Sequence, residues 1–255
     1  MNIEVIKKQI FEGISPLIQK LQTWDYTDGI SVDLWTHDFL SKLLEPLGYP
    51  ILSEEGSDID RPNLETFWIL DPLDGTQDFL EQSGEYCVLI GLVHKGFPIF
   101  GINIVPAWDK IYYATQDQGA FCIQGDQKPI KIKVSPHSGL SQATLVASNH
   151  HFTPSVQTFA DLHHLTPQKI GSNGCKIGLI AEGAADLFFN PTDKMGLWDV
   201  CALDILIAEA GGRMTDGKGQ RVDYRQDSKY LPFGIVVSNA IMHQTLIDFT
   251  NPLYA

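Results

Sequence analysis

The sequence predicts an α/β fold whose N-terminal part is α+β. Three observations carry that reading. Helical periodicity dominates the first fifty residues, short apolar runs punctuated by Gly, Pro and Asp follow to about residue 134, and strands then alternate with helices. The character changes near residues 136–139. We therefore expect an N-terminal α+β subdomain over 1–137, a C-terminal α/β subdomain over 138–255, and a cleft between them.

Each element has its own signal. Ile3, Ile6, Ile10, Ile14, Leu17, Ile18 and Leu21 recur at spacings of three and four, which predicts one amphipathic helix over 3–22. A second helix is expected over 33–47, stopped by Gly48-Tyr49-Pro50. Apolar runs at 67–70, 86–93, 99–105, 111–114, 120–123 and 130–134 read as an antiparallel sheet. Beyond the boundary, 144–147, 187–189 and 233–238 read as strands, and 175–181 and 240–249 as helices. Residues 198–210 read as a helix apolar on nearly every side, which places it inside, with Gly211-Gly212 ending it.

Composition narrows the function classes. The net charge is −13, so no broad basic surface exists to neutralise nucleic-acid phosphates. No apolar run reaches the roughly 18 residues of a membrane span, and the N-terminus lacks a secretion signal's apolar core. Cys87, Cys122, Cys175 and Cys201 are far apart and form no C-x-x-C pair, so zinc and redox motifs are unsupported and buried free thiols are expected. The expected setting is a soluble, cytoplasmic, reducing one. The pairs His150-His151 and His163-His164 lack helical spacing and read as surface residues.

The most informative segment is Trp68-Ile69-Leu70-Asp71-Pro72-Leu73-Asp74-Gly75-Thr76. An apolar strand runs into a turn with two carboxylates three residues apart. Pro72 restricts one φ angle and Gly75 permits a conformation other residues avoid, so the turn can aim both carboxylates at one point. The N–H groups of Gly75 and Thr76 could cradle a phosphate oxygen. Oxygen ligands of this kind suit Mg2+ or Mn2+ rather than zinc. Taken alone, the segment reads equally well as a plain surface turn. An EF-hand loop fails on spacing, since Leu73 interrupts the acidic alternation and Gln82 stands at the terminal position. A D-x-D phosphatase motif also fails, because these acids are one residue too far apart. Two further clusters read as structural when isolated: Glu54-Glu55 as a solvated strand end, and Asp199 as an N-cap. Asp199, however, heads a helix too apolar for the surface, so it must point into something polar.

These residues together resemble the inositol monophosphatase superfamily of lithium-sensitive, magnesium-dependent phosphatases. Asp71 to Thr76 match that family's D-P-[LI]-D-G-T motif, Trp198-Asp199 with Glu209-Ala210-Gly211-Gly212 match its second signature, and Glu54-Glu55 sit where it carries upstream metal-binding acids. The resemblance runs from about residue 25 to the C-terminus. It implies a layered αβαβα sugar-phosphatase fold holding two or three Mg2+ ions, with Mn2+ as a substitute and Li+ as an inhibitor. Glu54, Asp71 and the Leu73 carbonyl would hold one ion; Asp71, Asp74 and Asp199 a second. Asp33 and Thr76 would orient and activate the attacking water. Gly75, Thr76, Asn173, Lys176, Asn190 and Asp199 would contact substrate. One ion would sharpen the water's acidity and the other would stabilise the leaving oxygen, in line and without a covalent phosphoenzyme. The family's Thr three residues before Asp33 is replaced by Ile30, and a helix N-terminal acid is the alternative reading of Asp33.

Within the superfamily, Leu52-Ser53-Glu54-Glu55, Thr76-Gln77-Asp78-Phe79, Gly84-Glu85-Tyr86 and Lys176 are similar to the CysQ-like 3'(2'),5'-bisphosphate nucleotidase branch. That resemblance implies hydrolysis of adenosine 3',5'-bisphosphate to AMP and phosphate. Lys176 reads equally as a solvated helix residue. Asn190 stands where inositol phosphatases place a Glu and CysQ-like enzymes an Arg, and the segment 190–197 is slightly long, with Asp193 and Lys194 as substitutes. Inositol-1-phosphatase, another sugar phosphatase, and a non-catalytic metal-dependent binding protein remain open alternatives. The expected partner is a small phosphorylated metabolite, with room for a homodimer.

Overall fold

A computed structural model describes residues 2–24 and 29–254; residues 25–28 and the Ile30 side chain lie outside the described residues. The apolar spacing at the N-terminus makes two helices rather than one: α1 (Ile3–Gly13) and α2 (Ser15–Gln22). Pro16 is the cause. It has no N–H to continue α1 and instead occupies the first turn of α2. The next helix, α3 (Gly29–Leu44), begins four residues before its expected start and closes in a 3-10 turn that ends at Gly48.

A seven-stranded sheet follows in the order β1 to β7. Its strands are β1 (Ile51–Ser53), β2 (Thr66–Asp74), β3 (Cys87–His94), β4 (Phe97–Val105), β5 (Lys110–Thr115), β6 (Gly119–Gln124) and β7 (Ile130–Ile132). The expected antiparallel pairing holds except at one edge, where β1 runs parallel to β2. Between β2 and β3 stands a short helix, α4 (Thr76–Leu80), which the pattern did not reveal.

The C-terminal part runs through β8 (Val146–Ser148), α5 (Pro154–His163), β9 (Gln168–Ile170), α6 (Asn173–Ala181) and β10 (Leu187–Asn190). It continues through α7 (Cys201–Glu209), β11 (Arg213–Thr215), β12 (Ile235–Ser238) and α8 (His243–Thr250). The helix expected over 198–210 therefore starts three residues late, and Asp199 lies in the turn that feeds it. Buried faces assign five layers. Trp68, Leu70, Ile90 and Ile102 pack with α1 to α3. The alternate residues Phe67, Ile69 and Leu89 pack against α6 and α7, together with Phe188 and Val237 of a second sheet ordered β10-β12-β11. The far face of that sheet, with Leu187, Phe189 and Val236, packs against α5 and α8. The layering is αβαβα, as the family resemblance implied.

One close contact sets how α7 lies on the large sheet. Gly91 and Gly101 are cross-strand partners on β3 and β4. A Cβ on Gly101 would meet the Ala202 carbonyl oxygen at 2.4 Å, and one on Gly91 would meet Cys201 Sγ at 2.5 Å. The bare glycine pair lets the start of α7, and with it Asp199, settle onto the strands. Because the obstacle at Gly101 is backbone, it cannot rotate away. Gly101→Ala is expected to destabilise the protein by about 1–3 kcal/mol. Urea denaturation checks this, and an unchanged midpoint would show that α7 does not depend on the glycine pair.

Candidate metal centre and cleft

Two carboxylates three residues apart on a regular strand would point to opposite faces of the sheet. Here they do not. Asp71 pairs with Leu89 and Asp74 with Cys87, so three steps on β2 match two on β3 and the register shifts between them. The extra residue of this bulge turns Asp71 and Asp74 to the same face, toward α6 and α7. Asp199 arrives from the turn before α7. Ligand oxygens of Asp71, Asp74 and Asp199 lie within 4.8 Å of one another. Glu54, immediately after β1, completes the group through side-chain contact with Asp71.

Nearby donors orient these acids. Asp74 Oδ2 accepts the Gly174 N–H at 2.7 Å and the Cys87 thiol at 3.5 Å. Asp199 accepts the Gly196 N–H at 2.6 Å and the Asn173 amide at 3.1 Å. Asp71 Oδ1 accepts the Leu73 N–H at 3.1 Å. Thr76 Oγ1 lies 3.2 Å from the Leu73 carbonyl and 3.4 Å from Asp33 Oδ2, and its single proton serves one of them at a time. Asp33 is thus joined to the cluster from the second turn of α3, and is not an end-of-helix acid. Gly75, at φ +93, heads α4, and a Cβ there would press on Ser172 and on the Glu85 carbonyl at 3.0 and 3.1 Å.

The electrostatics are strained in one direction. Burial, followed by repulsion from Glu55 and Glu54, pushes Asp33 up to about 7. Burial, then Asp74 and Glu55, pushes Glu54 up to about 7. Burial first and neighbouring carboxylates second hold Asp71 and Asp199 well above the usual range. Asp74 is also raised by burial, against the pull of Lys176 and the Gly174 N–H. Such a set of hard, mutually repelling oxygens fits a divalent cation such as Mg2+, which would be held by Glu54, Asp71, Asp74, Asp199 and the Leu73 carbonyl.

Lys176 is neither solvated nor free. It is 1% exposed, its ammonium donates to the Gly171 carbonyl, and it stands beside the Phe188 ring. Burial lowers its pKa while Asp74 opposes that shift. Asn190 folds back on its own turn, its Oδ1 taking the Thr192 N–H at 3.0 Å and the Thr192 hydroxyl at 2.8 Å. Lys194 reaches the cleft wall, whereas Asp193 is exposed outside it.

Two adjoining cavities make the cleft. One of about 280 Å3 holds Asp71, Asp74, Gly75, Thr76 and Lys176. The other, about 530 Å3, includes Phe152, Asn190, Lys194, Trp198 and Tyr230. Glu54, Asn173 and Asp199 border both.

His150 corrects the surface reading of the histidine pairs. It lines the smaller cavity, with Nε2 3.3 Å from Asp78 Oδ1. His151 is exposed but borders both cavities. Periodicity also missed Glu85, whose Oε2 takes the Gly171 N–H at 2.6 Å and the Asn149 amide at 3.1 Å, tying β8 and the start of α6 to the loop after α4. A usable signal did exist for this region. Thr153-Pro154 is an N-cap and first-turn pair, and it places the 148–154 loop at the head of α5.

A five-layered fold with four carboxylates converging at its seam defines a metal-dependent hydrolytic site. The family model described as the inositol monophosphatase family matches residues 32–248. The chain belongs to that family and is a phosphatase. Among its relatives, the "3'(2'),5'-bisphosphate nucleotidase CysQ" of Haemophilus influenzae is 30% identical over 219 residues, covering 79% of this chain and 77% of the relative. The CysQ crystal structure from Bacteroides thetaiotaomicron superposes with a TM-score of 0.77 at 27% identity, covering 89% of this chain and 93% of that one. An inositol monophosphatase from Anabaena (Nostoc) superposes with a TM-score of 0.81 at 26% identity, covering 98% and 96%. Among the described residues no helix is long and apolar enough to cross a membrane, and all four cysteines are buried and free, as expected.

The raised carboxyls carry a stability consequence. Without a cation, Asp71 either stays ionised against Glu54, Asp74, Asp199 and Asp33 or takes up a proton that the unfolded chain would not hold at neutral pH, and both cost the fold. Asp71→Asn removes that charge while keeping an oxygen for the Leu73 N–H. In chelator at neutral pH, its melting temperature is expected to exceed that of the wild type, by about 2–4 °C per kcal/mol of repulsion relieved. Mg2+ should stabilise the wild type and not the variant. A lower melting temperature for the variant in chelator would refute the repulsion.

Proposed function

We propose that the chain is a Mg2+-dependent 3'(2'),5'-bisphosphate nucleotidase that converts adenosine 3',5'-bisphosphate to AMP and phosphate. The observation that carries this reading is the larger cavity. Its walls include Phe152, Met195, Trp198 and Tyr230, and it opens beside the carboxylate cluster through Asn173 and Asp199. Flat aromatic surfaces suit a nucleobase better than a ring of hydroxyls. The CysQ relatives point the same way.

In this reading, bound Mg2+ supplies positive charge for the phosphate and the leaving oxygen, and acidity for the attacking water. The chain's own groups do the rest. Gly75 and Thr76 offer N–H groups at the head of α4 to a phosphate oxygen. The Thr76 hydroxyl can donate to Asp33 Oδ2 at 3.4 Å, and a carboxyl held near 7 is poised to accept a proton from water at neutral pH. Asn173 fixes Asp199 at the border of the two cavities. Residues 1–137 form the part that supplies Glu54, Asp71, Leu73 and Asp74; residues 138–255 supply Asp199 and the specificity wall. Li+ inhibition, replacement by Mn2+, a cytoplasmic setting and a homodimer complete the proposal.

The second reading is inositol-1-phosphatase, favoured by the Anabaena structure. Asn190 weighs against it, since its carbonyl oxygen is already taken by Thr192. The readings separate on kcat/KM with Mg2+. Adenosine 3',5'-bisphosphate is expected to exceed inositol 1-phosphate by about tenfold or more, the effect of roughly 1.4 kcal/mol of extra recognition. The opposite order would favour the inositol reading. Turnover of neither would return the question to other sugar phosphates.

A further inference from the structure

The larger cavity carries charge that the hydrolytic step does not use. Four residues lining the two cavities can bear positive charge: Lys176, His150, His151 and Lys194. Lys176 is committed to Gly171 and Asp74, and the His150 ring faces the Asp78 and Glu81 carboxylates at 3.3 and 3.6 Å. Neither the Lys194 ammonium nor the His151 ring has a polar side-chain partner among the described residues. Lys194 belongs to the portion of the cleft that does not touch Asp71 or Asp74, whereas His151 stands on the shared border. The cleft is therefore electrostatically two-ended. Carboxylates gather at one end, and an unneutralised lysine shares the larger cavity with the aromatic walls.

An arrangement of this kind recognises a dianionic ligand with an apolar middle. Asn190 brings no cationic group to this wall and is turned toward Thr192. The slightly long 190–197 segment instead brings up an ammonium four residues later. We infer that Lys194 is the specificity-determining residue for the second phosphate of the substrate, holding it while the first lies at the carboxylate cluster, with His151 as an additional donor. This inference rests on the nucleotidase reading and adds to it the group that distinguishes a bisphosphate from a monophosphate.

The test keeps the nucleoside and the scissile ester constant. Values of kcat/KM are measured with Mg2+ on adenosine 3',5'-bisphosphate and on adenosine 3'-phosphate, for wild type, Lys194→Ala and Lys194→Arg. The wild type is expected to prefer the bisphosphate. Lys194→Ala should reduce that preference about tenfold, chiefly through KM, because one charge-assisted contact is lost. Lys194→Arg should retain most of it. An unchanged ratio in Lys194→Ala, or a wild type that treats both nucleotides alike, would overturn the inference while leaving the nucleotidase reading standing. A wild type that cleaves inositol 1-phosphate and neither nucleotide would overturn both.

Discussion

Repulsion among like charges is the constraint around which this molecule is organised. Glu54, Asp71, Asp74 and Asp199 converge in one cleft, and burial pushes each toward its protonated form, with neighbouring acids adding to the push on Glu54, Asp71 and Asp199. Folding alone gains nothing from this arrangement. It becomes favourable when a divalent cation supplies the missing charge. A chain of net charge −13 could thus bind an anionic substrate, because cations held by these acids would reverse the local sign.

Much of the fold can be understood as bracing for that repulsion. The bulge in β2 brings two carboxylates to one face that a regular strand would separate. The Gly91–Gly101 pair lets α7 descend far enough to deliver Asp199. The start of α6 contributes the Gly174 N–H to Asp74 and the Asn173 amide to Asp199. Lys176 adds one internal positive charge next to Asp74. It also lines the smaller cavity, where a substrate contact was expected of it.

The carboxylate cluster was legible because its central motif is local. Asp71, Asp74, Gly75 and Thr76 stand within six residues, and Asp199 adjoins a helix whose uniform apolarity announced its burial. The layer order followed from the family resemblance, and the major strands from short apolar runs. Elements that depend on distant partners were hidden. β1 is three residues long and is defined by parallel pairing with β2, while β9 and β11 are equally short. The division of the first helix was readable from Pro16 but was masked by an unbroken apolar stripe. His150 and Glu85 carry no periodicity at all; their positions follow from how β8 and the head of α6 meet α4. The far wall of the cleft was the least legible, since the path of one atypical loop decides where Asn190 and Lys194 stand.

The most direct test of the account is calorimetric titration of the metal-free protein with Mg2+ at pH 7, in buffers of different ionisation enthalpy. With Asp33 and Glu54 each held up to about 7 and Asp71 raised as well, the empty cluster retains protons that a cation must displace. The account predicts saturable binding with net proton release, on the order of one proton per protein, and hence an apparent enthalpy that changes with the buffer. Binding with the same enthalpy in every buffer, or no binding, would contradict it.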